Sequence, residues 1–109
     1  MLPKNKRISK DSFKSILLKG TLYHSENCTL RILPSEKEGF AVLISKKVAK
    51  SAVDRNRMRR RVYSVVRDLL PNIKTTSKNL ISLKTGAKKL SFDLQKEEIT
   101  KLFKKARLI

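Results

Sequence analysis

Between Lys46 and Arg67 the chain carries nine basic residues in 22 positions, against a single acid, Asp54, a net charge of +8. The basic residues are Lys46, Lys47, Lys50, Arg55, Arg57, Arg59, Arg60, Arg61 and Arg67. Guanidinium forks bind phosphate oxygens bidentately and stack on exposed bases, so the preference for Arg over Lys from residue 55 onward suits a phosphate-bearing partner. Asn56, set between two arginines, adds an amide that can donate to a phosphate or accept from a ribose 2′-hydroxyl. The alternative is a solvated basic face with Asn56 as a local cap. Groups suited to catalysis are sparse. Cys28 alternates with polar residues in Cys28-Thr29-Leu30-Arg31-Ile32, the pattern of a half-buried strand position. His24 is the only histidine and has no cysteine or carboxylate at ligand spacing, so neither a metal site nor a Cys–His nucleophile is expected. Asp54, Asp68 and Asp93 are too scattered to suggest a metal cluster. No catalytic residue is assigned.

The basic block needs a helix to order it. From residue 51 to 70 the apolar residues Met58, Val62, Val65 and Leu69 recur at i, i+4, i+7 and i+11, one narrow stripe of an amphipathic helix. At 100° per residue, Arg57, Arg60, Arg61 and Arg67 span the opposite side and Arg59 lies at the flank. Arg55 falls nearer the apolar side, but in the first turn, where it can project past the edge of the core. Arg55/Arg59, Arg57/Arg60 and Arg57/Arg61 are like-charge neighbours, each destabilising by roughly 0.2–0.5 kcal/mol. An ordinary surface helix mixes signs; this one is built for a polyanion.

Around it the sequence reads as a small α+β domain. A first helix over about 9–19 has Ser9 as N-cap, Ile8 and Phe13 as a hydrophobic staple, Phe13, Ile16 and Leu17 on one face, and Gly20 as its stop. Residues 21–33 form one strand, or two broken near Ser25-Glu26-Asn27. Residues 34–39 are a charged turn, and the continuous apolar run 40–44 is expected to be a strand buried on both faces. Pro71-Asn72 ends the basic helix, residues 79–83 form a short strand, and Ser91 caps a last helix with Phe92, Ile99, Leu102, Phe103 and Ala106 on one side. The order α-β-β-β-α-β-α implies a two-layer sandwich of three helices on a mixed sheet of about four strands, as one domain over 1–109.

Composition bounds the partner. The 109 residues are 39% hydrophobic, enough for one small core filled mainly by Leu, Ile and Val, since there are six aromatics and no Trp. With 27 Lys and Arg against 9 Asp and Glu, the formal charge is +18, self-repelling in a compact domain and relieved by a polyanion. Nucleic acid fits, because neutralised phosphates release condensed counterions. No apolar run approaches the ~18 residues of a spanning helix, and the first residues lack the apolar region of a signal peptide. A single cysteine excludes an internal disulfide and fits a reducing cytoplasm.

Ser45-Lys46-Lys47, seven further residues, then Arg55-Asn56-Arg57-Met58-Arg59-Arg60 resembles the signature of the bacterial ribonuclease P protein subunit. The resemblance extends over nearly the whole chain: the basic start, Phe13 and Lys19-Gly20-Thr21, and the ending Leu102-Phe103-Lys104-Lys105. It implies a protein that does no chemistry itself. Such a subunit binds a catalytic RNA whose Mg²⁺ ions activate water to remove the 5′ leader of precursor tRNA. Carried over by position, Lys46, Lys47, Arg55, Asn56, Arg57, Arg59 and Arg60 would contact the RNA subunit, with Lys50, Arg61 and Arg67 extending the same surface. Phe13 and Arg31 would line a leader-binding cleft between the sheet and the first helix. The chain departs from the family pattern with Ala41 where many members have glycine, Val48-Ala49 where a glycine often follows the lysines, and Leu17 and Arg31 where further aromatics are common. The missing aromatics at Leu17 and Arg31 shift the expected leader contacts toward electrostatics. The resemblance implies the RNA subunit and precursor tRNA as partners, a cytoplasmic location, and no cofactor or metal held by the protein.

Three other readings compete. A ribosomal or other structural RNA-binding protein shares the composition but not the motif. A protein-only nuclease would need a metal cluster the carboxylates do not supply. A membrane-surface helix would need the narrow apolar stripe of the basic helix, which the core requires.

Overall fold

The computed structural model describes Ile8 and residues 10–109; Ser9, the expected N-cap, and the basic residues 1–7 lie outside the described residues. The first helix, α1, runs Lys10–Lys19 and is followed by Gly20, whose N–H donates to the Ile16 carbonyl at 2.9 Å. No glycine among the described residues has a positive φ. Gly20 instead serves by close approach, since a Cβ there would stand 2.5 Å from the Ile16 carbonyl oxygen. The 21–33 segment resolves into the two-strand alternative: β1 (Thr21–His24) and β2 (Cys28–Pro34) form an antiparallel hairpin. Then come β3 (Gly39–Leu43), α2 (Ala52–Leu69), a 3₁₀ turn Leu70–Asn72, β4 (Ser77–Leu83), a 3₁₀ turn Thr85–Lys89 and α3 (Phe92–Lys105). The element order is the one the sequence implies.

The sheet order is β1-β2-β4-β3, antiparallel except for the β3–β4 pair. A parallel pair needs a long crossover, and α2 supplies it. Strand alternation sorts the sheet into rows. Tyr23, Leu30, Ile81 and Val42 lie in register across it, as do Ile32, Asn79 and Phe40, and this face carries the core. Against it pack Met58, Val62, Val65, Val66 and Leu69 of α2 and Ile99, Leu102 and Phe103 of α3, with the Phe40 and Phe103 rings stacked 6.4 Å apart. The opposite face carries Leu22, Arg31, Leu80 and Ala41 in one row. There α1 lies over β2 and β4, with Ile16 and Leu80 fully buried outside the main core.

One expectation is corrected. The 40–44 run is not buried on both faces, because β3 is an edge strand: Phe40 and Val42 point into the core while Leu43 is 44% exposed. Its neighbour β4 is interior, begins two residues earlier than expected and buries Ser77 and Asn79 at its start. Asn79 donates to the Gly39 and Ser77 carbonyls at 3.2 and 3.1 Å and accepts from the Ser77 hydroxyl at 2.9 Å, so both polar side chains are satisfied. An apolar run reports burial of its own side chains; its place in the sheet is set by a partner some forty residues away.

Candidate RNA interface

The loop before α2 is held from within. Val48 and Ala49 are buried, and their N–H groups turn back to the Ser45 carbonyl at 3.1 and 3.2 Å. With those two residues turned inward, Lys46, Lys47 and Lys50 stay exposed. Ser51 then caps the helix, its hydroxyl accepting from the N–H groups of Val53 and Asp54 at 3.1 and 3.3 Å. Asp54 in the first turn complements the helix dipole and Arg67 in the last does the same at the other end.

The buried stripe of α2 is Met58, Val62, Val65 and Leu69, as spaced in the sequence, with Val66 added. Its phase fixes the arginines. Arg57, Arg60, Arg61 and Arg67 are exposed, and no ion pair among the described residues involves any arginine of α2. Asp68, the nearest other acid in sequence, pairs instead with Lys96 of α3 at 3.4 Å. The exposed arginines thus form a cationic face with no ion pair among the described residues.

Arg55 and Arg59 behave differently. The Arg55 guanidinium folds back and donates from Nη1 to the carbonyls of Ala49 and Lys50 at 3.0 and 2.8 Å, clamping the loop that carries the lysines. Arg59 donates to Asn56 Oδ1 at 2.8 Å, so the asparagine orients an arginine as well as offering its own amide. Shallow depressions flank the crest of the helix. Asn56, Arg59, Arg60 and Tyr63 line one of about 310 Å³; Asp54, Arg57, Met58, Arg61 and Lys88 line another of about 220 Å³. Tyr63 and Lys88 escaped the sequence reading. Tyr63 could have been found as an aromatic at i+3 and i+4 from two arginines; Lys88 arrives from a distant 3₁₀ turn and leaves no local signal.

The second set of candidates, Phe13 and Arg31, lies on the other side of the sheet. Phe13 of α1 is half-buried, and Arg31 reaches beneath the end of the same helix to donate to the Leu17 carbonyl at 3.2 Å. Leu17, 40% exposed, and Leu22, 37% exposed and paired in register with Arg31, leave an apolar surface beside that guanidinium. The structure therefore divides the candidate residues between two surfaces, α2 with its preceding loop, and the α1 side of the sheet.

Cys28 and His24 form no active pair. The Cys28 thiol is buried, with Sγ 3.1 Å from Ser25 Oγ, and burial pushes its pKa up to about 12. His24 is exposed, and its carbonyl accepts from Lys105 Nζ at 3.3 Å. Glu98 of α3 accepts from the Ser25 hydroxyl and, at 2.8 Å each, from the backbone and side-chain N–H groups of Asn27. Partial burial pushes its carboxyl up, but these hydrogen bonds prevail and hold it below its usual range. Acids gather here: Glu26, Glu97 and Glu98 line a depression with Leu90, Leu94 and Lys101. Among the described residues no three His, Cys, Asp or Glu side chains cluster as metal ligands.

The sequence matches the ribonuclease P family profile over residues 2–107. Among curated proteins, the ribonuclease P protein component of Microcystis aeruginosa is 32% identical, with 99% of this chain and 96% of that protein aligned. That of Rippkaea orientalis is 33% identical over 99% of this chain and 91% of its own length. Among solved structures, the Staphylococcus aureus RNase P protein superposes with a TM-score of 0.87 at 18% identity, covering 96% of this chain and 98% of that one. The Thermotoga maritima RNase P protein gives 0.83 at 16% identity, covering 91% and 96%.

Proposed function

The chain belongs to the ribonuclease P protein family, and on that premise we propose that it binds a catalytic RNA subunit through α2 while the α1 side of the sheet receives the 5′ leader of precursor tRNA. Family membership gives it a role in an RNA-cleaving holoenzyme that processes tRNA. The observation that carries the finer reading is the arginine face of α2, exposed, without an ion pair among the described residues, and backed by a buried stripe that fixes its orientation. Lys46, Lys47, Lys50, Arg57, Arg60, Arg61 and Arg67 take phosphates of the RNA subunit. Arg55 holds the loop that presents the lysines, and Asn56 orients Arg59. Phe13, Leu17 and Leu22 offer an apolar bed for unpaired leader nucleotides, and Arg31 adds charge beside it.

On this reading the protein contributes binding and orientation. The Mg²⁺ ions that activate water would be held by the RNA. The complex works in the cytoplasm, and no helix among the described residues is long and apolar enough to cross a membrane.

The leader assignment is tested in a holoenzyme reconstituted with a bacterial ribonuclease P RNA. Precursor tRNA with a leader of several nucleotides should bind more tightly than mature tRNA, and Phe13→Ala combined with Arg31→Ala should erase most of that difference. An undiminished preference in the double variant would contradict the assignment of the cleft.

A further inference from the structure

The two depressions beside the crest of α2 are chemically unlike. That formed by Asp54, Arg57, Met58, Arg61 and Lys88 offers cations around one acid and has no aromatic, a surface for backbone phosphates. The other places Asn56, Arg59, Arg60 and Tyr63 at i, i+3, i+4 and i+7, so that one helical face carries an amide, two guanidinium groups and a phenol. Its parts are held. The Tyr63 ring is half-buried and packed against the core, and its hydroxyl makes no hydrogen bond among the described residues. The Arg59 guanidinium is fixed by its 2.8 Å bond to Asn56 Oδ1. A ring anchored on the core and a guanidinium held beside it lose little freedom when a flat ligand lies on them.

We propose that this depression is a subsite for one unstacked nucleotide of the RNA subunit, with the base on the Tyr63 ring and the Arg59 guanidinium and its phosphate on Arg60. The inference rests on the reading of α2 as an RNA-binding face. It adds that this flank takes an unpaired residue. A paired base inside a duplex presents no free face to a side chain, whereas a splayed single-stranded base stacks on aromatics and arginine planes alike. The volume of about 310 Å³ leaves room for a single nucleotide.

The test is equilibrium binding of a bacterial ribonuclease P RNA across a salt titration, with Tyr63→Phe and Tyr63→Leu beside the unaltered protein. Tyr63→Phe keeps the ring and should bind within about twofold. Tyr63→Leu should bind roughly 5- to 150-fold more weakly, the loss of one stacked base. Its slope of log affinity against log salt should be unchanged, because no charge is removed. Thermal unfolding checks that each variant is folded, and Tyr63→Met, of similar reach, replaces Tyr63→Leu should the latter not fold. Wild-type affinity in the folded leucine or methionine variant overturns the nucleotide subsite while leaving the cationic face standing. A loss with a shallower salt slope also overturns it, since the arginines would then have been displaced. An unaltered protein that binds this RNA without salt dependence removes the underlying reading, and the subsite with it.

Discussion

Arginine serves two ends along α2. Arg55 spends its guanidinium on the Ala49 and Lys50 carbonyls, which shapes the loop. Arg57, Arg60, Arg61 and Arg67 are exposed and make no such bond among the described residues. Lysine is divided likewise: Lys84 Nζ donates to the Ser25 carbonyl at 2.7 Å and Lys105 Nζ to that of His24, so some of the charge excess is engaged in the fold. The two classes should separate by experiment. Replacing Arg57 and Arg60 with Ala should leave thermal stability nearly intact, and should flatten the salt dependence of RNA-subunit binding by about 0.7–0.9 log units for each phosphate that is no longer neutralised. Arg55→Ala should lower the unfolding temperature instead. An unchanged salt slope in the double variant would contradict the assignment of these arginines to phosphates.

The elements were legible in the sequence where their signals are local. Ser91 caps the last helix as expected, and the apolar stripe of α2 falls where its spacing put it. What could not be read depends on partners far along the chain. The edge position of β3, the bonded pair Ser77 and Asn79 at the start of β4, and the approach of Lys88 to Arg57 and Arg61 all follow from pairing and packing across the sheet. Arg55 was placed near the edge of the core by its helical angle, but its carbonyl partners depend on the path of the loop. Glu98 is another long-range feature, joining α3 to the turn between β1 and β2 through Ser25 and Asn27. Gly86 lets Asn27 lie close, since a Cβ there would collide with the Asn27 side chain. Because the folded protein holds the Glu98 carboxyl below its ordinary value of 4.5, its contribution to stability is complete above that pH and fades as pH falls through the depressed value. Glu98→Gln should therefore lower the unfolding temperature at pH 7 and much less near pH 3. An equal deficit at both would show that the charge of this carboxylate is irrelevant to the latch.

At the scale of the whole molecule, a formal charge of +18 is distributed unevenly. Cations crowd α2 and its preceding loop, while Glu26, Glu97 and Glu98 share a depression between the β1–β2 turn and α3. Such an arrangement steers a polyanion toward one side of the protein and away from another. The α1 side of the sheet instead sets Arg31 beside the exposed Leu17 and Leu22. On the proposed reading, the protein organises RNA and leaves bond cleavage to it. Cleavage of precursor tRNA by a bacterial ribonuclease P RNA, at a Mg²⁺ concentration too low for that RNA to act alone, measures this claim most directly. Adding the purified protein should restore cleavage at the mature 5′ end, and the protein by itself should cleave nothing. No restoration by a folded protein that binds the RNA, or Mg²⁺-dependent cleavage by the protein alone, would contradict the account.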